Sequence, residues 1–129
     1  MFSYKILEDD GVIVLSAVGE TTFDDLQADA VQFFADVRTS GIRRILLDWR
    51  EFKGWRSDDA KSISYYSWLN RRSEFDRVAL VVRRELRDEA GELEELFRNA
   101  DKDIRRFRPQ DFDAALDWLK AERDADARD

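Results

Sequence analysis

The chain has 129 residues, 43% of them hydrophobic, which suits one folded domain with a real core and argues against disorder. Its 29 acidic and 22 basic residues leave a net charge of −7, which opposes general binding to nucleic acid or to anionic membranes. It contains no Cys and no His, which excludes disulfides, thiolate or Ser-His-Asp catalysis, and metal sites built on those two residue types.

Hydrophobic periodicity and turn residues divide the chain into alternating strands and helices. The first predicted elements are an antiparallel strand pair at 2–7 and 12–18, a helix starting at 21–25 and stopped by Gly41, a strand at 42–48, and a loop at 49–57 that bends at Gly54. The remaining ones are a helix from Ser57 to about Arg72, a strand at 77–82, a helix at 85–99, a short strand at 103–107, and a final helix after Pro109.

The predicted order is therefore ββαβαβαβα. Strands that alternate with amphipathic helices need crossover connections, so we expect an α/β fold with a five-stranded, mostly parallel sheet, an N-terminal antiparallel hairpin and about four helices. Residues 1–120 are expected to form a single domain. The charged segment 121–129 has no apolar stripe and is expected to be a frayed tail.

Three stretches give the chain a resemblance to a known family. They are ILLDWREFKGW (45–55), RRSEFDRVALVV (71–82), and Arg106-Phe107 followed by AALDWL (114–119). With this element order, the chain resembles the SpoIIAA-like group of STAS domains, bacterial modules that share a fold with CRAL-TRIO lipid-transfer domains. The resemblance implies the SpoIIAA-like (STAS) fold over nearly the whole chain and a branch without established enzymatic activity.

Aromatic residues are concentrated in the middle third of the chain. Adjacent residues of a helix differ in direction by about 100°, so one buried stripe cannot take up all of them. One possibility is that these aromatic residues all pack into the core. The other is that some of them form a surface for a protein partner or line an apolar cleft at the carboxyl end of a central strand. The residues predicted to bind are Trp49, Phe52, Trp55, Tyr65 and Trp68.

Two polar residues near this segment have both structural and functional interpretations. Ser57, followed by Asp58 and Asp59, suits a helix N-cap, and it is also a candidate phosphoacceptor. In the STAS antagonists the phosphorylated Ser lies in a motif like Asp-Ser-Ser-Gly, whereas Trp55-Arg56 precedes Ser57 here. Asp48 could bind a ligand or a metal ion, but an acid in this position more often pairs with an Arg or caps a loop.

Arginine pairs recur along the chain. Neighbours within a strand point to opposite faces of a sheet, so a pair alone does not form a patch. An anion site would need several of them to converge at one end of the sheet, and the candidates are Arg50, Arg56, Arg83 and Arg84.

The sequence therefore predicts a non-enzymatic module that binds a protein partner through the loop–helix surface 49–69. The alternative is binding of a small hydrophobic, lipid-like ligand in a cleft lined by the same aromatic residues. No cofactor, metal ion or nucleic acid is expected to bind, and the sequence is compatible with a homodimer. The absence of a long apolar run and of an N-terminal hydrophobic leader favours a cytoplasmic protein without a membrane span.

Overall fold

The computed structural model describes residues 2–121, with Ala28 described by its backbone alone. The strands are β1 (Phe2–Leu7), β2 (Val12–Thr21), β3 (Arg44–Trp55), β4 (Arg77–Val82) and β5 (Asp103–Phe107). The helices are α1 (Phe23–Ser40), α2 (Asp58–Arg71), α3 (Arg87–Arg98) and α4 (Phe112–Lys120), and short 3₁₀ turns cover 72–74, 84–86 and 109–111. The tail predicted for 121–129 lies outside the described residues except for Ala121.

The five strands form one sheet in the order β1-β2-β3-β4-β5. β1 pairs with β2 in antiparallel fashion, and every later neighbour is parallel. The predicted α/β class, the N-terminal hairpin and the mostly parallel five-stranded sheet are therefore confirmed.

Helices cover both faces of the sheet, and the alternation of side chains along β3 and β4 separates the two layers of core. Ile45 and Leu47 pack on the face covered by α1, α2 and α3. Leu46 points to the other face, where it meets Ala115 and Leu119 of α4. All six residues of β4 are buried, as expected for a strand with a neighbour on each side and a helix on each face.

Residues 49–55 are not the loop that the sequence predicts, because β3 continues through Trp55. The prediction was wrong because charged residues and Gly54 interrupt the simple two-residue alternation of a strand. β2 also runs beyond its predicted end at Val18 to Thr21 and keeps pairing with β3, with register shifts that mark β-bulges. A bulge changes which residues share a face, so Trp49 and Phe52, three positions apart, are both buried.

The start of α1 is held by a capping box. The Thr22 hydroxyl accepts a hydrogen bond from the Asp25 N–H, and the Asp25 carboxylate accepts one from the Thr22 N–H, both at 3.1 Å. The second bond lowers the pKa of Asp25. The ionised Asp25 carboxylate therefore stabilises the fold at pH values above the ordinary pKa of an Asp. This stabilisation is lost as the pH falls through the lowered pKa of Asp25.

Thr22→Ala should lower the free energy of unfolding by about 1 kcal/mol, because the Asp25 N–H loses its acceptor. Chemical denaturation at pH 7 measures this change. Thr39→Ala is the matched control, since Thr39 is exposed near the other end of the same helix. Equal losses in the two variants would contradict a stabilising role for the cap.

Candidate functional site

An apolar cavity of about 220 Å³ lies between the sheet and the helices α1 and α2. β1 contributes Phe2 and Tyr4, and β2 contributes Leu15 and Ala17. The aromatic wall from β3 and the side chains from the two helices complete it. Four of the five residues predicted to bind line this one cavity, namely Trp49, Phe52, Trp55 and Trp68.

The wall from β3 is a cluster of three rings. Trp49 and Phe52 have centroids 4.8 Å apart, and the Trp55 ring stands almost perpendicular to both, at 6.0 Å and 5.1 Å. Edge-to-face contacts of this kind are favourable for aromatic rings. Trp49 and Phe52 are buried, whereas Trp55 is only half-buried. The cluster is therefore packed at its base and reaches solvent at Trp55.

α2 contributes the opposite wall. Ser57 is its N-cap, with a hydroxyl that accepts a hydrogen bond from the Ala60 N–H at 3.1 Å. From that start, the buried residues Ala60, Ser64 and Trp68 recur every four positions and form the inward stripe of the helix. Trp68 is 9% exposed, and its ring lies 5.7 Å from that of Phe34 on α1. The stripe explains why Trp68 reaches the cavity.

Tyr65, the fifth predicted residue, does not line the cavity. Its side chain is 44% exposed and borders a small recess of about 20 Å³ beside α3, on the other side of the Trp49, Trp55 and Trp68 side chains that line both spaces. Tyr66, which the prediction left out, is 62% exposed. The predicted surface 49–69 is therefore divided: its β3 residues and Trp68 face the cavity, and the two tyrosines remain outside.

The sequence analysis missed the half of the cavity that comes from α1 and β1. Phe33 and Phe34 are adjacent on α1 and both line the cavity, and their ring centroids are 5.0 Å apart. The sequence placed both rings on the apolar stripe of α1, and that pattern does not show which buried residues border an open space. Tyr4 packs against Phe33 and donates a hydrogen bond to the Asp36 carboxylate, which raises the pKa of the Tyr4 phenol.

Among the described residues, the lining of the cavity includes a few polar side chains and no cationic one. The polar residues of the lining are Ser3, Tyr4, Asp29, Gln32, Ser64 and Ser67. Asp29 is exposed, whereas Ser64 is buried. The lining can therefore offer hydroxyl and amide groups to a ligand, but its described residues provide no positive charge for an anion.

The Asp48 carboxylate accepts hydrogen bonds from neighbouring residues of the protein. It receives two hydrogen bonds of 2.9 Å from the Arg50 guanidinium, one of 3.1 Å from the Arg50 N–H and a longer one from Ser16. This is the pairing that the sequence favoured for Asp48. Within residues 2–121, no group of Asp and Glu side chains could hold a metal ion, and no helix is long and apolar enough to cross a membrane.

Comparisons with known proteins agree with this architecture. The model of the family described as SpoIIAA-like matches residues 12–120. A crystal structure of an uncharacterized Shewanella loihica protein with a SpoIIAA-like fold is 26% identical to the chain, with a TM-score of 0.67 and 92% of each chain covered. None of the curated proteins matches. Since the family model spans most of the sequence, the chain belongs to the SpoIIAA-like family, as its resemblance to STAS domains indicated.

Proposed function

We propose that this domain is a non-catalytic binding module that takes up a small, uncharged hydrophobic ligand in the cavity between the sheet, α1 and α2. The observation that supports the proposal most is the convergence of rings from four elements on one open space. Tyr4, Phe33, Trp49 and Trp68 come from β1, α1, β3 and α2 in turn. Small-molecule sites are typically concave and apolar with a few placed polar groups, which describes this cavity.

The volume limits the size of the ligand. An enclosed apolar cavity of about 150 Å³ holds benzene, and drug-sized ligands occupy sites of roughly 300–1,000 Å³. A cavity of about 220 Å³ lies between these values. It suits one substituted ring or one short alkyl chain, and it is too small for the two chains of a diacyl lipid.

The lining also limits the charge of the ligand. A carboxylate that enters an apolar site without a cationic partner loses its hydration and gains little in return. The described residues of the lining include no Lys or Arg, and Asp29 would repel an anion. A neutral ligand with a hydroxyl group avoids this penalty and can hydrogen-bond to Ser64 or Ser67.

Isothermal titration calorimetry with a matched pair of probes tests this proposal. p-Cresol should bind with a dissociation constant on the order of 0.1–1 mM, the range expected for so small a ligand. 4-Methylbenzoate, which has a carboxylate in place of the hydroxyl, should bind at least about tenfold more weakly because its charge must be desolvated.

Two alanines of α1 provide the variant and its control. Ala30 lines the cavity, whereas Ala35 is exposed and outside it. Ala30→Leu should weaken p-cresol binding at least about tenfold by filling the space, and Ala35→Leu should leave it unchanged. If neither probe binds the wild type, or if both variants bind p-cresol equally, the cavity is not the ligand site.

Binding of a protein partner is the second candidate function. The specific observation in its favour is the exposure of Ile63, Tyr65 and Tyr66 on α2, because partner surfaces are enriched in tyrosine and apolar side chains. This surface is smaller than the predicted one, since Trp49, Phe52 and Trp68 are buried. Phosphorylation of Ser57 likewise stays a prediction: Ser57 is exposed, and its hydroxyl already serves as the N-cap.

A further inference from the structure

A second cleft, of about 620 Å³, lies at the carboxyl ends of β4 and β5. Ligands of open α/β sheets generally bind at this end of parallel strands. The cleft shares no lining residue with the apolar cavity and differs from it in being rich in arginine. Five arginines and a single carboxylate, that of Glu85, line it; the arginines are Arg83, Arg84, Arg87, Arg106 and Arg108.

Three of these arginines are held in place by the protein. Arg106 makes two 2.7 Å hydrogen bonds to the buried carboxylate of Glu94. Arg108 pairs with Asp111 at 3.0 Å. Arg83 donates to the Phe52 carbonyl and lies 3.7 Å from Glu85. These contacts neutralise part of the charge of the cleft.

The remaining two guanidinium groups have no such compensation. Arg84 and Arg87 are exposed, and neither pairs with a carboxylate within residues 2–121. Among the described residues, the one side-chain hydrogen bond from either arginine is that of the Arg87 guanidinium to the Arg84 carbonyl, at 3.4 Å. The carboxylates of Glu85, Glu94 and Asp111 compensate three of the five arginine charges, so two positive charges remain in the cleft. This local excess contrasts with the net charge of −7 of the protein.

We propose that this cleft binds the phosphate group of a phosphorylated small molecule. Arginine forks match the oxygens of a phosphate, and the two excess charges match a phosphate dianion. The cleft is larger than a phosphate group, and Phe107 and Pro109 give it an apolar part that can contact the organic portion of the ligand. The sequence analysis named four arginines as candidates for an anion site. Two of them, Arg83 and Arg84, line this cleft, whereas Arg50 pairs with Asp48 and Arg56 pairs with Glu20.

A small ligand fits the charge distribution better than a nucleic acid does. The cleft carries a local excess of positive charge, whereas the net charge of −7 over the whole protein would repel the long phosphate chain of a polynucleotide. A small phosphorylated molecule meets only the local charge.

Calorimetric titration of the full chain at constant ionic strength tests the proposal, with ribose 5-phosphate, inorganic phosphate and ribose as probes. Ribose 5-phosphate should bind most tightly, inorganic phosphate more weakly, and ribose not measurably. In NMR spectra, the backbone amide signals of residues 83–87, 106–108 and 110 should shift and saturate with the same affinity. Binding of ribose as strong as that of its phosphate, or equally strong binding of a single-stranded oligonucleotide, would overturn the assignment.

The double variant Arg84→Gln/Arg87→Gln should weaken ribose 5-phosphate binding by at least about tenfold, because both uncompensated charges are removed. Arg38→Gln/Arg56→Gln removes the same net charge from exposed residues outside the cleft and should change binding by less than about twofold. Equal weakening in both double variants would mean that total charge, and not this cleft, causes the binding. Since the cavity and the cleft are separate, p-cresol binding should be the same in all these variants.

Discussion

We expect Trp68→Ala to lower the free energy of unfolding by about 3–5 kcal/mol, the usual cost of removing a large ring from a core. Trp68 packs against Phe34 of α1, Phe75 before β4, and Phe97 of α3, with centroid distances of 5.7, 6.0 and 6.0 Å. Its ring therefore joins three helices on one face of the sheet. Removing it should also merge the cavity with the space that the ring leaves.

Urea denaturation measures the change, and Trp55→Ala is the matched control. Trp55 is half-buried and contacts only rings of its own strand in that cluster, so its loss should cost less, about 1–2 kcal/mol. A loss below about 1 kcal/mol for Trp68→Ala would contradict its place in the core. The sequence placed both residues on a binding surface; the burial of Trp68 makes a loss of stability the main expected effect of removing this ring.

Ala115→Asp should destabilise the protein by about 4 kcal/mol or more, a large part of the roughly 5–15 kcal/mol that stabilises a typical domain. Ala115 is fully buried where α4 meets the sheet, beside Leu46, Ala79 and Val81. A carboxylate there loses its hydration, and the additional atoms have no free space in a close-packed interface. The affected layer is the one between α4 and the strands.

Ala114→Asp provides the control, because Ala114 is the preceding residue of α4 and is exposed. Both substitutions place an Asp in the first turn of the same helix, so the difference between them reports chiefly the burial of position 115. The pKa of a carboxyl buried at position 115 should be raised, so the Ala115→Asp variant should regain stability as the pH is lowered from 7 towards 4. Equal thermal midpoints in the two variants would refute the packing of α4.

Most of the fold could be predicted because it depends on local patterns. The apolar stripes of α1 and α3 follow the period of a helix, and the all-apolar run of β4 indicates a strand buried on both faces. The wrong element was residues 49–55, where charged side chains and Gly54 suggested a loop. β2 supplies hydrogen-bond partners along that segment, and such a partner is not visible in the pattern of one strand.

The candidate site was predicted in part for the same reason. Trp49, Phe52 and Trp55 are close in sequence, so their convergence could be expected from one segment. Tyr4 and Phe33 were missed because they are far from that segment in the chain and reach the cavity only through the packing of β1 and α1 on the sheet. Tyr65 was placed in the site, but the direction of α2 turns it outward.

The amino-acid sequence alone determined the order of strands and helices and the chemistry that is excluded, because periodicity and composition are local properties. A chain without Cys and His has no thiolate and no imidazole in any fold. Only the tertiary structure decided that the aromatic residues enclose a cavity and that five arginines line a cleft at the end of β4 and β5. Both depend on contacts between residues distant in the chain, which the pairing of the strands and the packing of the helices bring together.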